Sequence, residues 1–109
     1  AFLQGVWAMS KDLKFDAGKD KWSLLRTGCT QALQGVIRVL MFGAQKYEAH
    51  SWKKVENARV RYRDAMDRHL AEIDLHGDDS CDPESGMLHW YHVACNALFL
   101  AELNTPPKV

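Results

Sequence analysis

The sequence predicts an all-α fold of three main helices, and three observations carry that prediction. Three segments of the 109-residue chain space their apolar residues at helical intervals, residues that start and stop helices stand at their ends, and no segment alternates polar and apolar residues long enough for a credible strand. A chain of this length makes one domain with a modest core.

The elements follow in order. Residues 1–10 read as a leader or expression remnant: Met9-Ser10-Lys11 looks like a natural start, and Ala1 to Ala8 is too short and uncharged for a signal peptide. The folded domain is expected over residues 11–105. Gly18 and the alternating Lys and Asp residues around it place Lys11 to Asp20 in an extended or looped lead-in. Thr30 suits the N-cap of a first long helix from Gln31 to about Tyr47, whose Leu33, Val36, Ile37, Leu40 and Ala44 recur at helical spacing while Val39 and Phe42 broaden the face. Gly35 and Gly43 each cost such a helix about 1 kcal/mol relative to Ala. Close approach of a neighbouring backbone would explain them, and so would tolerance. Glu48 to Asn57 is a polar connection.

A second helix runs from about Ala58 to His76 with Val60, Ala65, Met66, Leu70 and Ile73 inward, and Gly77 is placed to end it. Asp82 as N-cap and Pro83 at the first helical position predict that the third helix starts there, after the loop Asp78 to Cys81, and runs to Leu103 before the Pro106-Pro107 stop. That helix is apolar almost all round, as a central helix requires. The exception is one polar line of Ser85, His89, His92 and Asn96, which at roughly 100° per residue spans about 60° of the circumference. Buried imidazoles and carboxamides need partners. The line is therefore a candidate ligand or metal site, although histidines on an apolar helix also serve as hydrogen-bonded core residues. Three helices cannot cover the apolar circumference of the first and third, so a homodimer or higher homo-oligomer is expected to complete the bundle.

Charge excludes some functions. Fourteen basic residues balance fourteen acidic ones, which gives no reason to expect a general nucleic-acid or membrane-surface binder. No apolar run reaches the ~18–20 residues of a membrane span. The three cysteines, Cys29, Cys81 and Cys95, have no Cys-x-x-Cys spacing and suit reduced thiols of a cytoplasmic protein. Within the chain, charge is zoned. Lys53 to His69 carries six basic residues against three acidic, whereas Leu70 to Ser85 carries six acidic residues and no Lys or Arg. A metal–nucleotide site uses both kinds, carboxylates for the cation and cations for phosphate oxygens; solvated helix faces and capping explain the same residues. Arg68 and Glu72 share a face that could reach the histidine line. His89 and His92 do not form His-Glu-x-x-His, the acidic loop lacks the Gly and Glu of a calcium loop, and no phosphate-binding glycine loop occurs.

Four segments resemble a known family: Lys14-Phe15-Asp16-Ala17-Gly18-Lys19; Phe42-Gly43-Ala44-Gln45-Lys46-Tyr47 with Trp52 after it; Arg68-His69-Leu70; and Asp82-Pro83-Glu84-Ser85-Gly86 with His89, His92 and Asn96. Together they look like the N-terminal domain of phage-associated dATP/dGTP diphosphohydrolases, relatives of the MazG-like all-α nucleotide pyrophosphatases. The resemblance implies a helical oligomer that cleaves a purine dNTP to dNMP and pyrophosphate with Mg²⁺ or Mn²⁺, in the cytoplasm of a bacterial or phage-infected host. It implies Lys46 and Arg68 near phosphate, Tyr47 and Trp52 at base or sugar, His69 among the substrate-binding residues, and His89, His92 and Asn96 as the catalytic group. Asp82, His89 and His92 would lie near the metal, with Glu72 and Glu84 as further acidic ligands. MazG-like enzymes place an acidic cluster on the early helix, where this chain has Gln31, Gln34, Gly35 and Arg38. Either Glu72 and the acidic loop supply the ligands, or the chain binds nucleotide without turning it over. A non-catalytic nucleotide-binding or regulatory module is thus the alternative, and a helical protein-interaction module is a third.

Overall fold

The computed structural model describes residues 17–108. The expected leader over residues 1–10 and the lead-in up to Asp16 lie outside them. Four α-helices and one 3₁₀ turn follow in order: α1 Trp22–Gly28, α2 Thr30–Lys46, the turn Ser51–Lys54, α3 Ala58–His76 and α4 His89–Asn104. The described residues hold no strand, only an isolated antiparallel bridge between Cys81 and Leu88. The fold is all-α as predicted, but with a short fourth helix ahead of the three long ones.

Thr30 does not cap α2. Its hydroxyl donates backwards to the Arg26 carbonyl, and α2 starts at Thr30 itself, hinged on α1 through Cys29. Tyr47 is extended and ends α2, one residue earlier than predicted. The α3 bounds match the prediction. Gly77 ends that helix with φ of 104°, a conformation L side chains rarely adopt, and its N–H bonds the Ile73 carbonyl.

The predicted start of the last helix needs correction. Asp82 does accept the Ser85 N–H at 2.9 Å, as an N-cap would, but only one turn follows. Gly86 has φ of 74° and breaks the winding. The chain then folds back: Asp82 N–H bonds the Met87 carbonyl, and His89 N–H bonds the Ser80 carbonyl. Helix α4 begins only at His89.

Helices α3 and α4 pack antiparallel. Arg59 near the start of α3 donates to Asn104 and to the Leu103 carbonyl at the end of α4, and Tyr62 meets Phe99. The 3₁₀ turn closes this end, with Trp52 stacked on Phe99 at 4.0 Å and its carbonyl accepting the Tyr62 hydroxyl. Helix α2 packs on α4 from another side. Among the described residues the buried apolar side chains are few: Val36, Ile73 and Cys95. Helix α4 is accordingly half-wrapped rather than central, with Trp90 and Leu98 exposed. Burial pushes the Cys95 thiol up to about 11, which makes it a packing residue rather than a nucleophile. Among the described residues no helix is long and apolar enough to cross a membrane.

Candidate active site

The loop between α3 and α4 places Asp82 and Ser85 over the line of histidines. His69, on the facing side of α3, completes the group. His69 Nδ1 lies 2.8 Å from His89 Nδ1, a hydrogen bond in which one ring donates and the other accepts. The His69 ring also stacks on His92, with centroids 4.5 Å apart and planes at 9°. His92 Nε2 lies 2.7 Å from Ser85 Oγ and 4.0 Å from Asp82 Oδ2. Ser85 Oγ accepts the Met87 N–H. Its own hydroxyl proton is then free to go to His92 Nε2. His89 is the most enclosed of the group, only 3% exposed.

The surroundings favour the neutral form of His69 and His92 and the charged form of Asp82. Burial, then His92 and His89 beside it, push His69 down to about 4 against the opposing pull of Asp82. Burial also lowers His92, with Asp82 opposing. Burial alone would raise Asp82, but the Ser85 backbone N–H and the neighbouring histidines outweigh it and hold the carboxyl below its ordinary value. One ligand atom each from His69, Asp82 and His89 lies within 4.8 Å of the others. Two imidazoles and a carboxylate suit a transition-metal cation, Mn²⁺ included, better than Mg²⁺, which prefers an all-oxygen shell.

The other predicted residues sit apart from this group or serve it indirectly. Asn96 is buried and donates to the His92 carbonyl on its own helix, so it braces the backbone under His92. Glu72 is half-exposed and pairs with His76 at 3.3 Å. Glu84 is exposed and pairs with Lys46, so neither side chain is free for metal or phosphate in this arrangement. Arg68 is exposed beside His69 and helps to lower it. Tyr47 is 68% exposed, whereas Trp52 has one ring face covered by Phe99. Sequence reasoning placed His69 with the substrate residues. The signal available was its place in the Arg68-His69-Leu70 segment, and helical spacing within α4 cannot report a partner on another helix.

A histidine–carboxylate group at the junction of two antiparallel helices defines a small all-helical domain with the donor set for a divalent cation. The family model for the dATP/dGTP diphosphohydrolase N-terminal domain matches residues 9–108, and the chain belongs to that family. A dATP/dGTP diphosphohydrolase of Salmonella phage PMBT28 is 35% identical over 88 residues, which cover 81% of this chain and 28% of that protein. The chain therefore spans less than a third of the length of that relative. No solved structure matches it significantly.

Proposed function

We propose that this domain hydrolyses purine deoxynucleoside triphosphates to the monophosphate and pyrophosphate with a divalent cation held by His69, Asp82 and His89. The observation that carries the reading is the convergence of those three donors within 4.8 Å, beside His92, whose charged form burial disfavours. A cation bound there supplies Lewis-acid polarisation of phosphoryl oxygens and eases deprotonation of water. The chain's own contribution is the proton. Water attacks the α-phosphorus, its proton passes to Ser85 Oγ as the Ser85 hydroxyl proton passes to His92 Nε2, the bond to the bridging oxygen breaks, and pyrophosphate leaves. Ser85 holds His92 Nε2 towards the loop, and Asp82 stabilises the imidazolium that forms. The family membership and the name of the phage relative support the substrate class. The kinship with MazG-like pyrophosphatases and a cytoplasmic setting, where dNTPs are found, belong to the same proposal.

The test is pyrophosphate release from each of the four dNTPs, with Mn²⁺, with Mg²⁺ and with a chelator. Turnover of dATP and dGTP that is strongest with Mn²⁺ and absent with chelator is expected. Nucleotide binding without release under any metal would favour the second reading, a non-catalytic binding module. One observation speaks for it: the face of α2 with Gln31, Gln34 and Arg38 has no acidic residue where MazG-like enzymes place their metal ligands.

A homodimer remains part of the proposal. Its support is the apolar surface left uncovered on α1 and α2, with Trp22 79%, Ile37 54% and Met41 61% exposed. Sedimentation equilibrium at micromolar concentration is expected to give twice the chain mass, and Ile37→Glu with Met41→Glu to return the monomer. A monomeric wild type would remove the dimer from the proposal.

A further inference from the structure

Residues of the same loop also line a cleft. Between α2, residues 86–88 and Tyr91 of α4 is a cavity of about 380 Å³, within the ordinary range for small-molecule pockets. Gln31, Gln34 and Arg38 line it from successive turns of α2, and Met87, Leu88 and Tyr91 form apolar wall. Among the described residues no carboxylate lines it. Arg38 is the single charged lining group, and neither it nor the two carboxamides is engaged in a hydrogen bond or ion pair among the described residues. Unspent planar donors and acceptors facing a partly apolar cavity are the usual means of reading a flat heteroaromatic edge.

We infer that this cavity receives the purine base and that Gln31, Gln34 and Arg38 read its N7 edge. The inference rests on the nucleotide reading above and adds to it the basis of base choice. Adenine offers N7 as acceptor and its 6-amino group as donor, a pair that one carboxamide meets with two bonds; guanine offers N7 and O6, two acceptors that a guanidinium meets. Pyrimidines have no N7. Two carboxamides and one guanidinium therefore suit the N7 edge of both purines, an edge that neither pyrimidine has. The loop links the two sites through adjacent residues: Ser85 touches His92 and Gly86 lines the cavity, while Leu88 lines the cavity and His89 joins the metal group.

The experiment is calorimetric binding of dGMP, dAMP, dTMP, 7-deaza-dGMP and inorganic pyrophosphate to the full chain in chelator, where nothing turns over. With one bidentate contact at stake, dGMP and dAMP should bind at least about tenfold tighter than dTMP, and dGMP at least about tenfold tighter than 7-deaza-dGMP. Arg38→Gln should weaken dGMP about tenfold and dAMP much less, whereas Gln34→Leu should do the reverse. Both positions are exposed, so the variants should keep the wild-type melting curve. Equal affinity for dGMP and its 7-deaza analogue overturns the inference. So does no measurable binding of either purine, or an equal loss of dGMP, dAMP and pyrophosphate in Arg38→Gln, which would put that side chain on phosphate. Pyrophosphate release with a dGTP KM unmoved by both variants overturns the base site and leaves the hydrolase standing. Purine-selective binding without release removes the hydrolase and keeps the base site.

Discussion

Asp82→Asn and His89→Ala should each lower Mn²⁺ affinity by at least about a hundredfold, because loss of even an outer-shell partner of a metal ligand costs about 10–100-fold. His92→Ala should leave Mn²⁺ affinity within a few-fold and instead reduce pyrophosphate release by about 10²–10⁴, the usual contribution of a positioned acid–base group. The split separates ligands from the proton acceptor, two roles that adjacent turns of one helix would otherwise confuse. Asp82→Asn is the cleaner ligand variant. A carboxamide oxygen still accepts the Ser85 N–H, so the turn survives while the charge is lost. His89→Ala removes an almost fully buried ring and with it the hydrogen bond to His69, so it should also lower the melting temperature. Mn²⁺ titration by calorimetry, alongside turnover and a thermal melt for each variant, reads all three effects. Unchanged Mn²⁺ affinity in Asp82→Asn would show that the cluster is a hydrogen-bonded core and not a metal site.

What could be read from the sequence was set by how local each interaction is. The bounds of α3 followed from its apolar spacing and from Gly77, both contained in the helix and its next residue. Helix α1 escaped because seven residues with none buried leave no periodic signature. The start of α4 was misread for a related reason. Asp82-Pro83 carries real capping chemistry, but the capped segment is a single turn, and the bonds that reverse the chain join Ser80 to His89 and Asp82 to Met87. The polar line survived this error in part. His89 and His92 do share a face by helical period, whereas Ser85 reaches His92 through the fold of the loop. His69 approaches from another helix, and no spacing within α4 encodes that.

Gly35→Ala and Gly43→Ala, eight residues apart on α2, should change stability in opposite directions. Replacing either glycine by alanine in a helix gains about 1 kcal/mol of backbone preference. At Gly43 a new Cβ meets nothing within 4 Å, so that gain stands and the melting temperature should rise by roughly 3–8 °C. At Gly35 the Cβ would lie 2.5 Å from Cγ, Cδ1 and Cδ2 of Tyr91 alike, which puts it against the face of the ring and inside van der Waals contact. Overpacking of this kind costs about 1–3 kcal/mol, and the contact falls on the inner carbons of the ring rather than on its far end. The clash outweighs the helical gain, and the melting temperature should fall by roughly 5–10 °C. Replacing Tyr91 by Leu in the Gly35→Ala background should recover part of that fall, since the two changes act on one contact. A rise in melting temperature for Gly35→Ala alone would show that the ring moves freely. The same contact bears on function. Gly35 and Tyr91 both line the cavity assigned to the purine base, so a displaced ring should weaken dGMP and dAMP together, a loss without base preference that sets it apart from the effects of Arg38→Gln and Gln34→Leu.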